Sequence, residues 1–294
     1  MGFGPLLLLA LLEGLVTAAL LALMALGLSL VFGVMRVVNV AHGEFFMLGA
    51  VLAWVVSTAF AGHPAIGFIA ALLVAPLAVG AVAYLAERLV LKRLNYDPEA
   101  TIVATIGLLY IIQQLALTVY GADARPVQPP FNIRIQLPWF GYSGYKLFVI
   151  AAAILLLLGA WFVLARTRAG LVMRATQYDA ETAQAFGIPV GRVYAYVFAL
   201  GAMLAALAAV LIVPVSQAHY LMGRDPLLLS FVVVIIGGLG SLRGTVVAAL
   251  LIGLSDGIIS TLFFSPTLAK ILATLLVALV LVFRPQGLFG TAAR

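Results

Sequence analysis

Cysteine is absent from the 294 residues, which excludes disulfides, thiolate metal sites and a cysteine nucleophile. Charge is nearly as scarce. Asp, Glu, Lys and Arg make up 9 % of the chain, against roughly a quarter in soluble domains. Long polar stretches are missing too: the longest, 121–146 and 166–192, leave no room for an appended soluble domain. No Gly-Lys pair occurs anywhere, so the G-x-x-x-x-G-K-[ST] loop that cradles nucleotide phosphates cannot form. The chain therefore does not hydrolyse ATP itself. No Lys/Arg cluster interleaved with aromatics marks a nucleic-acid surface. The net charge of +6 suits loops facing an anionic inner leaflet.

What the chain has in abundance is apolar surface, 65 % of its residues. Apolar segments run over 6–35, 45–62, 65–86, 101–120, 147–165, 193–213, 227–236, 245–263 and 267–283. Several reach the roughly 20 residues that cross a bilayer as a helix. The pattern predicts an all-α, polytopic helical membrane protein, one membrane domain over 1–294 with eight to nine membrane segments. The run 6–35 is long enough for one tilted helix or a helix plus a half-helix. It lacks a basic leader and is too long for a signal-peptide core, so it is expected to stay as a span.

Orientation follows the basic residues. Placing Arg88, Lys92, Arg93, Arg166, Arg168, Arg174, Arg192, Arg284 and Arg294 on the cytoplasmic side, with Arg36 and Arg243, puts eleven of the sixteen Lys and Arg residues inside. That bias follows the positive-inside rule. The opposite loop, 121–146, carries Pro126, Pro129, Pro130 and Pro138, then Trp139, Phe140, Tyr142 and Tyr145. It reads as a stiff external cap with interfacial aromatics.

Two interruptions break the apolar pattern. The first, MRVVNVAHGEFFMLGA at 35–50, brings together Asn39, His42, Gly43 and Glu44. The second, IIGGLGSLRGT at 235–245, holds Gly237, Gly238, Gly240 and Gly244. Broken backbone at membrane depth is tolerated only where protein or a wet cavity surrounds it. Paired interruptions in two halves are the mark of an internal repeat and of a translocation site. Each also has a plainer reading: glycines for close helix packing, and Glu44 as the acidic first turn of a helix starting near Phe45. His63 and His219 lie in other loops, so no metal set is expected. Asp256 falls deep in the segment 245–263. A carboxylate there should face the bundle interior and have a partner, for which Arg36 and Arg243 are candidates, or it lines the solute path. Glu13 is similar but nearer an end.

The polar segment ARTRAGLVMRATQYDAETAQAFGIPVGR, 165–192, is rich in alanine and closes on Gly187 and Pro189. These signals predict a short amphipathic helix over roughly 171–186. It could anchor in headgroups or plug a groove on a partner, with Phe186 and Ile188 as apolar knobs and Arg174 and Asp179 as charges.

Three ordered motifs then carry a resemblance. Arg174-Ala175, Asp179, Ala183 and Gly187-Ile188, the run Asn39, Ala41, His42, Gly43, Glu44, and the run Gly237, Gly238, Leu239, Gly240, Ser241, Gly244 resemble permease subunits of high-affinity branched-chain amino acid ABC importers. Met222-Gly223 fits as well, and the likeness covers about 27–290. Gln177-Tyr178 stand where many relatives have an acidic residue, and Arg243 where proline is frequent. The resemblance implies alternating access in a bacterial cytoplasmic (inner) membrane. It implies as partners two ABC ATPase subunits that hold ATP and Mg, a second permease (a paralogue or this chain again) and a periplasmic or lipid-anchored binding protein. No cofactor would be bound by this chain. It assigns ATPase coupling to Arg174, Ala175, Asp179, Ala183, Phe186, Gly187 and Ile188. The pathway or its gate would take Asn39, His42, Gly43, Glu44, Gly237, Gly238 and Gly240, with Asp256 as a further candidate. The cargo would be a branched-chain or other small amino acid, with urea and small carboxylates as alternatives.

Two rivals remain at this level. An ion-coupled secondary carrier would also have broken helices and buried acids. An intramembrane serine protease would use Gly141-Tyr142-Ser143-Gly144, with His219 as the later histidine; a serine nucleophile requires its base within hydrogen-bond reach.

Overall fold

In the computed structural model, which describes residues 2–284 and 286–290, the first long apolar run folds as one unbroken helix, α1 (Phe3–Met35). The remaining helices are α2 (His42–Ala59), α3 (Pro64–Leu89), α4 (Pro98–Tyr120), α5 (Gly144–Arg166), α6 (Arg168–Tyr178), α7 (Ala180–Ala185), α8 (Val190–Ser216), α9 (Arg224–Gly237), α10 (Leu242–Leu262) and α11 (Pro266–Phe283). Among the described residues, seven helices are long and apolar enough to cross a membrane. They are α1, α2, α3 with the 3-10 turn that extends it, α4, α5, α8 and α10. The cap between α4 and α5 contains a hairpin with no clear signal in the residues, β1 (Arg134–Gln136) paired antiparallel with β2 (Gly141–Ser143). Arg294, counted with the cytoplasmic charges, lies outside the described residues.

Unlike in a soluble protein, the outer faces are apolar as well as the centre. α1 and α8 form the dry centre, while Leu73 and Leu77 of α3, Val103 and Tyr110 of α4 and Leu155 and Leu158 of α5 point outward. Outward leucine and valine belong in lipid, where only backbone groups satisfied within a helix are tolerated.

The packing repeats itself. α1 lies against α8 and α10, while α8 lies against α1 and α3. α2 packs on α3, α8 and α4; α9 packs on α10, α1 and α11. Exchanging α1 with α8, α2 with α9, α3 with α10 and α4 with α11 returns these contacts. The directions are opposed, because α1 runs toward the end occupied by α6 and α7 and α8 runs away from it. This is an inverted repeat, with α5 to α7 inserted between its halves. A repeat is therefore present in the packing, although it is faint in the residues and does not pair the two interruptions, 35–50 and 235–245, from which it was expected.

The two central helices meet at glycine. A Cβ on Gly27 would sit 2.5 Å from the Gly201 carbonyl oxygen, and one on Gly201 would meet the Gly27 carbonyl at 2.8 Å. With little hydrophobic drive between helices in lipid, such close backbone approach lets dispersion hold the pair. Gly27→Val should cost about 1–3 kcal/mol by overpacking. The check is the temperature at which purified protein loses its monodisperse size-exclusion peak. Gly159, with open space where its Cβ would lie, serves as control: Gly159→Ala should leave that temperature unchanged or raise it.

Candidate functional site

α1 ends because Arg36 adopts a left-handed conformation (φ 57°), its N–H bonding the Phe32 carbonyl. The chain then turns back. His42 Nε2–H donates to the Met24 carbonyl at 3.0 Å, and Met24 lies eleven residues before the end of α1. Residues 36–41 therefore run back alongside α1 for about 16 Å at the helical rise of 1.5 Å per residue. Val40 N–H donates to Thr105 Oγ1 of α4 at 3.3 Å, so side chains and a neighbouring helix supply part of what a ladder would. α2 begins at His42, three residues earlier than Phe45, with Glu44 in its first turn. A carboxylate there complements the helix dipole.

The second half makes the mirror move. After α8 ends, Ala218 is held at the opposite end of the bundle by an exchange of backbone hydrogen bonds with Arg125 and by Tyr120 Oη at 2.8 Å. The chain dips inward, and α9 starts after Gly223. Gly223 lies against Gly43: a Cβ on Gly43 would be 2.6 Å from the Gly223 carbonyl oxygen. The starts of the two shorter helices thus meet inside the bundle.

Around this junction the side chains are polar and buried. Asn39, His42 and Glu44 are at most 2 % exposed. Asn39 Oδ1 and Nδ2, His42 Nδ1, Glu44 Oε2 and Gln113 Nε2 have no hydrogen-bond partner among the described residues. Arg224, in the first turn of α9, donates to Gln113 Oε1 at 3.4 Å and is the cation that acts on Glu44. An unpaired buried polar atom costs about 1–3 kcal/mol. Several in one place single out this junction as the candidate site.

Gly237, Gly238 and Gly240 lie elsewhere. They form the corner between α9 and α10, at the α6 end, where Gly237 packs on Gly244 and Gly240 on Gly33. The interruption that meets the first one is 217–223, which the residues alone did not single out. Its signal was the Met222-Gly223 pair and the apolar run that follows. Asp256 is half-buried on α10. Neither Arg36 nor Arg243 pairs with it. Both lie at the α6 end, and the cation that acts on Asp256 is Lys270 of α11. The two ion pairs among the described residues are Lys146–Glu13 and Lys270–Asp225.

The 165–192 segment corrects another expectation. It is two helices rather than one over 171–186. α6 ends at Tyr178, and Asp179 is extended and caps α7, accepting from Thr182 N–H at 3.0 Å and Thr182 Oγ1 at 2.5 Å. Asp179 favours a cap over a helix interior because its short side chain reaches the free amides of the next turn. Arg174 Nη1 donates to the Leu164 carbonyl at the end of α5. Gln177 Nε2 donates to the Gly240 carbonyl at 3.3 Å. Ala175 is half-buried, Ala183 buried, and Ile188 tucks toward the core. Gly187 has φ +83° with open space around it. Phe186 and Tyr178 stand 84 % and 90 % exposed.

The serine-protease constellation is not assembled. Gly141-Tyr142-Ser143 is the β2 strand, Ser143 is the exposed residue preceding α5, and no hydrogen bond joins it to His219 among the described residues. Nor do three or more His, Asp or Glu side chains come together at metal-binding range among the described residues.

Comparison with known proteins gives a consistent picture. The family described as "Branched-chain amino acid transport system / permease component" matches residues 10–282. The chain is similar to the high-affinity branched-chain amino acid transport system permease protein BraD of Pseudomonas aeruginosa, with 26 % identity covering 95 % of this chain and 94 % of that protein. It is similar to the probable branched-chain amino acid transport permease protein LivH of Methanocaldococcus jannaschii at 28 % identity, covering 95 % and 91 %. The LivH permease protein of Escherichia coli K12 is 25 % identical over 95 % and 94 %.

The Asp179 cap makes a testable statement about acid. The Thr182 hydrogen bonds hold its carboxyl below the usual carboxylate range. Its contribution is full above the ordinary carboxylate pKa and is lost as pH falls through the lower folded value. Hydrogen exchange should show faster opening of the Thr182 and Ala183 amides in Asp179→Ala at neutral pH. Asp179→Asn should keep most of the protection, and acidified wild type should lose it.

Proposed function

Because the chain belongs to the permease family of branched-chain amino acid transport systems, we propose that it is the membrane subunit of an ATP-driven, binding-protein-dependent importer for aliphatic amino acids. It would reside in a prokaryotic cytoplasmic membrane, with eight to nine membrane segments and the α6–α7 end inside. ATP and Mg would sit on separate ATPase subunits, a second permease would complete the pathway, and an external binding protein would deliver solute. The observation that carries this reading is the α6–α7 knob. It is a capped helix with Phe186 and Tyr178 projecting from the end richest in basic residues, outside the bundle. An exposed aromatic on a short stiff helix is suited to a groove on a partner. An ion-coupled carrier has no use for it.

The residues also supply a route for motion. Movement of α7 reaches α6 through Asp179. From α6 it reaches α5 through the Arg174–Leu164 bond and the α9–α10 corner through the Gln177–Gly240 bond. Gln177, the departure from the acidic residue of many relatives, is thus the link between two of the motifs. α9 carries the motion to Gly223 and the junction with Gly43. Asn39, His42 and Glu44 then form the gate, their unpaired polar atoms awaiting the partners that an open state supplies. Gly237, Gly238 and Gly240 act as the hinge, and Asp256 faces the neighbouring α11. Ala183 and Ile188 seat α7 on the bundle, while Arg174, Asp179, Phe186 and Gly187 bear on the ATPase side.

The test is ATP turnover by the assembled complex in lipid nanodiscs, with loaded and empty binding protein and with leucine, glutamate, urea and benzoate as cargo. Leucine-loaded binding protein should stimulate turnover. Phe186→Asp should abolish that stimulation, a loss of about tenfold or more as expected for a buried aromatic anchor, while leaving the yield of the permease unchanged. A chain that binds no ATPase and moves solute alone under an ion gradient would overturn the reading.

A further inference from the structure

A cavity of about 370 Å³ opens at the end of the bundle opposite α6 and α7, between α1, α2, α5, α8 and α9. That volume is within the roughly 300–1,000 Å³ of small-molecule sites. Its walls are mostly aliphatic and aromatic: Leu20 and Met24 of α1, Phe46 of α2 and Leu229 of α9. Met24 and Met222 place its floor on the junction, since Met24 accepts from His42 and Met222 precedes Gly223. Across the wall run two opposite charges. Lys146 Nζ lies 2.7 and 2.8 Å from the two carboxylate oxygens of Glu13, joining α5 to α1. Their side chains are 24 % and 33 % exposed.

We propose that this cavity binds a zwitterionic aliphatic solute that divides the Glu13–Lys146 pair, its ammonium facing Glu13, its carboxylate facing Lys146 and its side chain lying on Leu20, Met24 and Phe46. The proposal rests on the importer reading above and locates a site within it. The chemistry favours two charges over one. A solvent-accessible ion pair contributes little by itself, so opening it costs little when both ends are paired again. A solute with a single charge pairs one end and leaves the other without its partner, so it recovers only half of what opening the pair gives up. A neutral solute satisfies neither. Asp225, also in the wall, pairs at 2.6 Å with Lys270, which does not line the cavity, whereas Glu13 and its cation Lys146 both do, so Glu13–Lys146 is the pair that offers a solute both charges. Occupation would sit directly above the gate that α9 moves.

The absence of cysteine makes the test clean. Thr17→Cys places one thiol in the cavity wall, and its alkylation by a small neutral maleimide is timed in the complete transporter in nanodiscs. Saturating L-leucine should slow labelling about fivefold or more, as roughly four-fifths occupancy requires. 4-Methylpentanoate, isopentylamine and urea should slow it less than about twofold by the same relation. Protection by leucine should vanish when Glu13→Gln or Lys146→Gln is added. Should those variants fail to fold, the comparison of ligands on the chain carrying Thr17→Cys alone decides. Leucine uptake into proteoliposomes without leucine protection of the thiol introduced by Thr17→Cys would overturn the site and leave the importer standing. Equal protection by 4-methylpentanoate or urea would overturn the two-charge assignment. Absence of both leucine uptake and ATPase stimulation would overturn the importer reading and the site together.

Discussion

Two stretches of this chain leave helical geometry inside an apolar bundle, and the rest of the structure depends on where they meet. Peptide groups released from a helix in such surroundings must be satisfied by protein. Here the returning segment 36–41 lies along α1 and is steadied by Thr105, while His42 ties the start of α2 to the Met24 carbonyl. The opposing segment arrives from the other end and meets it at Gly223 against Gly43. Side chains at either position would separate the two helix starts. Because α2 and α9 both begin there, the junction fixes the inverted repeat, the floor of the cavity and the burial of Asn39 and Glu44 at once.

The junction also lies between the α6 end and the cavity. Below it, α6 touches both α5 and the α9–α10 corner through side-chain-to-carbonyl bonds from Arg174 and Gln177. Above it, the same α5 and α9 carry Lys146 and Asp225 into the cavity wall. A displacement of α7 therefore has a short physical route to the groups that line the cavity.

Much of this was legible in the residues. The apolar runs gave the helices to within a few positions, and the N-x-A-H-G-E stretch marked the first return of the chain because Asn, His and Gly are poor lipid-facing material. The 165–192 segment was recognisable as helical. Its division at Asp179 was not, since an aspartate within an alanine-rich run reads equally as a solvated helix position. The partner of the first interruption was misplaced for a related reason. The glycine cluster 237–244 is the louder signal, yet it serves a tight corner, where glycines allow backbones to touch. The segment 217–223 carries Met222-Gly223 and little else. Asp256 was expected to seek an arginine, but the helical rise puts Arg243 about 20 Å away along α10, and the nearer cation comes from α11. Pairings of this kind, like that of Glu13 with Lys146 across 133 residues, come from tertiary packing and have no local signature.

The central claim is that the junction of 36–43 with 217–223 is a moving gate. Ala41 lies within it, is wholly buried and differs from cysteine by a single thiol. The direct measurement is the reactivity of Ala41→Cys toward a membrane-impermeant thiol reagent in the complete transporter, at rest and during ATP turnover with loaded binding protein. The account predicts a thiol silent at rest and labelled during turnover. A thiol that stays silent while uptake proceeds would show the junction to be a fixed scaffold and would contradict the account.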